Sequence, residues 1–242
     1  MIYSEDYFLL QLEFAKKVNQ LTDLGLSRAL IDYTTFYKSF GISGWDFDIH
    51  HPTWVNYLDS INKEPQRSLG ITYEFYLKAD REEDLFSRFG CFSYEYDSMT
   101  KVIRIHFNNR DNSGLSPLSK ERMVERKKEL KEMFTDISCQ HPEAEKVLGF
   151  SWLYNLDAYK RLFPKSYVES GEKVGGWFKT NALWGQFLSR DGKLREGAKE
   201  KFLGRLGKVK GKDNLQECFP FLIIKTEGEL AAFFENLGLK SS

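Results

Sequence analysis

The residues with the clearest chemical potential lie in a loop of small residues that follows an alternating stretch and precedes a charged helix. The loop reads "RDNSGLS", and its candidate ligand-binding residues are Arg110, Asn112, Ser113, Gly114 and Ser116. Backbone N–H groups at the start of a helix, together with an arginine, can hold a pyrophosphate. The same loop also suits a solvent-exposed connection in which Ser116 or Ser119 caps the helix. The pattern predicts an anion site, with an ordinary connection as the alternative.

A candidate general base directly precedes this loop. In "VIRIHF", His106 and Arg104 alternate with isoleucines, so these two polar side chains share one face of a predicted strand. Histidine ionises near neutral pH and can take a proton from an amine. Glu74, in an earlier alternating segment, is the second candidate base. Either residue can instead belong to a polar sheet face that has no catalytic role.

Two other segments carry potential ligands in less specific patterns. Carboxylates and imidazoles stand close together in "DFDIHH", at Asp46, Asp48, His50 and His51. No recognised metal-ligand spacing is present and one of these residues can cap the next helix, so we expect no metal site. The stretch 199–212 is rich in lysine and can bind phosphates, although such a stretch is more often a solvated helix end.

The composition of the 242-residue chain is that of a globular protein, with 41% hydrophobic and 29% charged residues. Lys+Arg and Asp+Glu number 35 each, so no overall field favours nucleic acid or an anionic membrane. The three cysteines are far apart, which fits a reducing compartment. The start lacks the pattern of a signal peptide, and no apolar run is long enough to span a bilayer. We expect a cytoplasmic protein with no nucleic-acid or membrane partner, and this composition is compatible with a small-molecule substrate.

The elements that must position these residues follow from hydrophobic periodicity. Residues 1–66 read as a helical segment. Segments 69–78, 91–97 and 101–107 alternate and predict an antiparallel meander, followed by a long helix over 119–137. Apolar runs at 146–152 and 218–225 predict two further strands, and Thr226 with Glu229 predicts a capping box for a final helix. The order predicts an α/β or α+β fold with a mixed, largely antiparallel sheet flanked by helices. Residues 1–66 are expected to pack on 67–242 as one compact unit.

This order resembles the acyl-CoA N-acyltransferase (GNAT) superfamily. The segments that carry the resemblance are "VIRIHF…SGLSPLSKERMVERKKELKEMF", "GFSWLYNLDAYKRLFP" and "WGQFLSRDGKLREGAKEKFLGRL". They look like the GNAT-like C-terminal domain of poorly characterised bacterial acyltransferase-like proteins. The resemblance implies a GNAT-like sheet, acetyl-CoA or another acyl-CoA as cosubstrate with no covalently bound cofactor, and a pyrophosphate site in the 110–116 loop.

The loop departs from the family pattern, which has one residue fewer between its arginine and its glycine. Asp111 adds negative charge where a phosphate is expected, and Pro117 removes a backbone N–H donor. Two functions therefore follow from the resemblance. One is an acyl-CoA-dependent N-acyltransferase with His106 or Glu74 as base, and the other is a catalytically silent GNAT-shaped binding or interaction module.

Overall fold

The computed structural model of the protein describes residues 2–42, 46–80 and 89–239. The chain divides into two compact units. The first unit combines Met1–Glu83 with Gly175–Phe221, and the second combines Asp84–Val174 with Leu222–Ser242. In the described residues, no helix is both long and apolar enough to cross a membrane.

Helices and strands are named in chain order. The α-helices are α1 (Glu5–Leu21), α2 (Leu26–Tyr33), α3 (Phe36–Ser39), α4 (Pro52–Lys63), α5 (Ser68–Lys78), α6 (Met123–Gln140), α7 (Asp157–Lys160), α8 (Lys165–Glu169), α9 (Asn181–Trp184), α10 (Ala198–Lys208) and α11 (Leu230–Leu237). The strands are β1 (Phe92–Asp97), β2 (Val102–Phe107), β3 (Lys146–Ser151), β4 (Glu172–Val174) and β5 (Ile223–Glu229).

The first unit is helical and has an aromatic core. Helix α1 is amphipathic and buries its apolar side chains. Its Phe14 ring lies 5.5 Å from Trp184, 6.0 Å from Phe202 and 5.4 Å from Phe219, between ring centroids. Large rings bury much area each, so this cluster joins the two chain segments that make up the unit.

The second unit contains a five-stranded sheet in the order β1-β2-β3-β5-β4. Strands β2 and β3 are parallel because α6 returns the chain between them, and the other three pairings are antiparallel. The predicted mixed, largely antiparallel sheet flanked by helices, with an N-terminal helical segment, is confirmed. Strand β5 lies between β3 and β4 in the sheet, although it follows both of them in the sequence.

One face of this sheet is apolar and the other is polar. Ile103, Ile105 and Val147 are buried in a cluster with side chains of α6 and α11. On the opposite face, Arg104 and Glu227 are exposed and Lys146 pairs with Glu227 at 2.9 Å. Strand alternation alone produces this division, as the sequence predicts for 101–107.

The prediction of a strand at 69–78 is wrong, because these residues form α5. The buried residues of this segment are Ile71, Thr72 and Tyr76, which follow a helical period rather than a period of two. The Thr72 hydroxyl donates to the Ser68 carbonyl at 2.7 Å, so its buried oxygen is satisfied within the helix. The meander is therefore reduced to β1 and β2 in the described residues.

Two smaller predictions near the last strand also change. The predicted strand 218–225 lies only partly in β5, which runs Ile223–Glu229. The predicted capping box is wrong because Thr226 and Glu229 both belong to β5, and α11 begins without a side-chain cap. The sequence of residues 81–90 also predicts a short helix, and residues 81–88 of this segment lie outside the described part of the chain.

Candidate functional site

The candidate site begins where pairing between the two parallel strands of the second unit ends. Pairing between β2 and β3 ends at Ile105 and Gly149. Each strand continues for two more residues in its other pairing, to Phe107 with β1 and to Ser151 with β5. The carboxyl ends of parallel strands are the usual position of ligands in α/β sheets. His106 and the 108–119 loop lie at this end of β2.

The loop that was predicted to hold an anion uses several of its backbone N–H groups internally. The Ser113 N–H donates to Asp111 Oδ1 at 2.8 Å, and the Leu115 N–H donates to Ser113 Oγ at 3.3 Å. The Ser119 N–H donates to the Ser116 carbonyl at 3.0 Å. These donors therefore do not converge on a common point outside the loop, as a phosphate cradle requires.

Asp111 occupies the centre of this loop. Its side chain is 0% exposed, and Oδ2 accepts from Arg122 Nε at 2.6 Å and lies 3.2 Å from an Arg126 terminal nitrogen. Burial by itself raises the pKa of the Asp111 carboxyl. Hydrogen bonds from Ser113 and Arg122 and the charge of Arg126 outweigh burial and lower this pKa to about 2.

The ion pair continues into the core as a buried network. Arg126 is 2% exposed, and its other terminal nitrogen donates to Glu129 Oε1 at 2.6 Å. The second Glu129 oxygen accepts from the Cys91 N–H at 3.1 Å, and the Cys91 sulfur accepts from Arg126. Burial raises the pKa of both the Glu129 carboxyl and the Cys91 thiol. This network ties the loop and α6 to the residue that precedes β1.

The structure brings the predicted loop residues together at the surface. Arg110, Asn112, Ser113, Gly114 and Ser116 are all exposed. Gly114 has φ +82°, and an added Cβ there would meet open space. Such a φ favours glycine. The Asp111 carboxylate lies beneath this surface and takes the contacts that an anion would otherwise make with the two arginines.

His106 lies on the polar sheet face, as predicted, and its partner there is Glu95 of β1. The His106 Nε2 atom lies 3.7 Å from Glu95 Oε2. The neighbouring His106 imidazole is the largest cause of a lowered pKa at the Glu95 carboxyl. Glu74 is not on a strand: it lies on α5 of the first unit, 3.1 Å from an Arg67 nitrogen.

The two less specific segments take up ordinary local roles. His51 Nδ1 accepts from the Thr53 N–H and so caps α4, while Asp48 accepts from the His50 N–H. Within the described ranges, no group of three or more His, Cys, Asp or Glu side chains is placed to hold a metal. In the basic stretch, Lys199 pairs with Asp6 at 2.7 Å, whereas Lys208, Lys210 and Lys212 are exposed.

Sequence reasoning missed the buried arginine–carboxylate network and Glu95. Arg126 lies three residues after Met123 and four before Leu130, on the apolar stripe of α6. That spacing was the available signal for its burial. The pairing of Glu95 with His106 depends on the register of β1 against β2, which no local pattern specifies.

Comparisons of the chain with protein-family models, with curated proteins and with solved structures found no match.

Proposed function

We propose that this chain is an acyl-CoA-dependent N-acyltransferase whose second unit is GNAT-like. The observation that carries the proposal is that pairing of β2 with β3 ends at Ile105 and Gly149, while each strand continues for two more residues in its other pairing. An extended ligand that enters between separated strand ends can hydrogen-bond to strand backbone, as in strand addition. The pantetheine arm and thioester of an acyl-CoA have this extended, amide-containing form.

His106 supplies the chemistry in this proposal. The acceptor amine attacks the thioester carbonyl carbon while His106 takes a proton from the amine nitrogen. The carbon–sulfur bond then breaks, its electron pair leaves with sulfur, and the thiolate recovers a proton. An imidazole on an accessible sheet face, at the exit of a parallel strand, suits this role. Arg110 is the proposed countercharge for the pyrophosphate.

A second function is favoured by the position of Asp111. Its carboxylate already accepts from the Ser113 amide and from Arg122, so the loop in this conformation does not fit a pyrophosphate. A carboxylate beside a phosphate is repulsive. This observation supports a GNAT-shaped module that binds a partner or another ligand without catalysis. The acyltransferase requires acyl-CoA binding, and this module does not.

Isothermal titration and thermal shift with acetyl-CoA, a longer acyl-CoA and free CoA test the proposal. A ligand at 100 times its Kd should stabilise the folded protein by about 2.7 kcal/mol. No heat and no thermal shift at millimolar concentration with any of the three would remove the acyltransferase and leave the silent module.

A matched pair of glycine variants locates the binding site. Gly114→Val should abolish acyl-CoA binding, because a β-branched residue resists φ +82° and adds bulk to the loop surface. Gly176→Val is the control, since Gly176 has φ +81° and also has open space where a Cβ would lie. Equal loss of affinity in both variants would show that backbone strain, rather than the loop, is responsible.

A further inference from the structure

The polar face at the end of β1 and β2 carries a group of side chains that the buried core does not use. In the antiparallel register Ser93 lies opposite His106, and Glu95 lies opposite Arg104. Alternation places these four residues on the face away from the buried Ile103 and Ile105 side chains. They are therefore positioned by the strands themselves rather than by a loop.

Two polar atoms in this group are buried without a hydrogen-bond partner in the described residues. They are the Nε2 atom of His106 and the hydroxyl oxygen of Ser93. The His106 side chain as a whole is 42% exposed, so the ring can be reached even though its Nε2 is covered. Buried polar atoms without partners are rare, and a catalytic role is one of their recognised explanations.

The Nε2 atom of His106 lies 3.7 Å from an oxygen of a carboxylate, Glu95 Oε2. The other charged groups on these two strands are directed elsewhere or are more distant in register. Arg104 contacts Asp97 at 3.5 Å, and Asp97 also accepts from the Met99 N–H in the turn between β1 and β2. Glu95 is therefore the one carboxylate of β1 and β2, both fully described, that faces the imidazole.

We propose that Glu95 is the positioning residue of His106. The Glu95 carboxylate lies 3.7 Å from Nε2, and a small side-chain movement shortens this distance to a hydrogen bond that Nε2–H donates. This bond holds the neutral ring in that tautomer and leaves Nδ1 as the atom that receives the proton. This inference rests on the proposed acyl transfer, in which an N–H bond of the acceptor amine breaks and its proton moves to Nδ1. A carboxylate that orients an imidazole in this way also stabilises the imidazolium that forms.

The tautomer can be measured without any substrate. In ¹⁵N-histidine-labelled protein, at a pH where the imidazole is neutral, the ¹⁵N shifts of the two ring nitrogens distinguish the protonated atom from the bare one. The chain has four histidines, and His106→Gln assigns the relevant signals. We expect His106 of the wild type to be protonated at Nε2, and Glu95→Ala to shift the ring toward a mixture of tautomers.

Glu227→Ala is the matched control, because Glu227 is on the same sheet face but pairs with Lys146. It should leave the His106 shifts unchanged. Glu95→Gln keeps the size of the side chain and an acceptor oxygen, so it should retain more of the tautomer than Glu95→Ala. An unchanged tautomer in both Glu95 variants, with the fold intact by circular dichroism, would overturn the inference.

The kinetic consequence separates this inference from the proposed function. Glu95→Ala should lower kcat about 10–100-fold and leave KM for the acyl-CoA nearly unchanged. This loss is smaller than the roughly 10²–10⁴-fold that a general base contributes, because His106 itself remains. A shifted tautomer with kcat unchanged would also overturn the positioning role. Absence of acyl transfer by the wild type, together with a shifted tautomer, would instead reject the acyltransferase and leave the Glu95–His106 pair as a structural finding.

Discussion

At the scale of single residues, Asp111 shows how an internal carboxylate can replace an external anion. The two arginines and the Ser113 amide form a site of the kind that binds phosphate, and the carboxylate of the loop itself lies in it. A buried carboxylate is tolerated there because each oxygen accepts a charged or amide donor. The loop is therefore ordered by its own charge rather than by a ligand.

Asp111→Asn should destabilise the protein by about 2 kcal/mol at neutral pH, because it removes the negative charge of the carboxylate to which the surrounding groups donate. The pKa of Asp111 in the folded state, about 2, lies below its ordinary value, so its stabilising effect is complete above about pH 4 and is lost as pH falls toward 2. Urea denaturation of both proteins across this range measures the effect. A difference that does not shrink on acidification would contradict this assignment.

The same substitution also bears on ligand binding. If an acyl-CoA pyrophosphate has to displace the carboxylate from Arg122 and Arg126, Asp111→Asn should strengthen acyl-CoA binding despite the lost stability. Isothermal titration at two salt concentrations checks this. Weaker binding in the variant would indicate that Asp111 supports the binding conformation of the loop instead of competing with the ligand.

Replacement of Arg126 should be more damaging than replacement of Arg122. Arg126 is 2% exposed and contacts both Asp111 and Glu129, so Arg126→Met leaves two carboxylates without their shared cation. Breaking a buried pair in this way costs about 3–5 kcal/mol. Arg122 is 25% exposed, and water can replace part of its contact in Arg122→Met. Equal midpoints for the two variants in thermal unfolding would show that the network is not cooperative.

At the scale of elements, the 69–78 segment explains the largest difference between expectation and structure. Its apolar residues alternate, but Tyr76 is buried at a position that alternation assigns to the polar face, while Leu77 is 49% exposed. Thr72 and Tyr76 are four residues apart, which is the helical spacing. Tertiary packing overrides strand propensity here. Tyrosine has an apolar ring and a polar hydroxyl, so it can be read as either an apolar or a polar residue of an alternating pattern.

The candidate site was partly predictable for a related reason. The strand–loop–helix order and the polar face of His106 follow from local patterns, and both were found from the sequence. The contacts of Asp111 with Arg122 and of Glu95 with His106 join residues that are separated along the chain by 11 positions in each case. They depend on how the elements meet, which periodicity within one element does not determine.

Gly149 lies on β3 directly against two tyrosine hydroxyl groups. A Cβ at this position would collide with the hydroxyl groups of Tyr154 and Tyr167, which are 2.7 Å apart and hydrogen-bonded. Gly149→Ala should therefore destabilise the protein by about 1–3 kcal/mol through overpacking. Gly204→Ala is the control: Gly204 is an exposed residue of α10 with open space where a Cβ would lie, so this change should stabilise by about 0.5–1 kcal/mol. The midpoints of denaturant unfolding measure both effects. An unchanged stability of Gly149→Ala would contradict tight packing at this position.

At the scale of the whole molecule, the net charge is zero, but one stretch of the chain has an excess of positive charge. Residues 199–212 contain six lysines or arginines and one acidic residue. Replacing Lys208, Lys210 and Lys212 together with Gln should leave acyl-CoA affinity unchanged and stability within about 0.5 kcal/mol, because these side chains are exposed. Loss of binding of tenfold or more, about 1.4 kcal/mol, would show that the stretch contributes to a ligand site.

The position of β5 between β3 and β4 has a consequence for protein synthesis. The ribosome synthesises β3 and β4 before β5, the strand that lies between them. The edges of β3 and β4 that pair with β5 therefore stay unpaired until β5 has been made. The 48 residues between Val174 and Ile223 take roughly 2–10 s to translate at about 5–20 residues per second. During that time residues 175–221 are synthesised and can complete the first unit, while the sheet of the second unit still lacks β5. Unpaired edges attract strands from other chains, so the nascent protein is most exposed to misassembly in this interval.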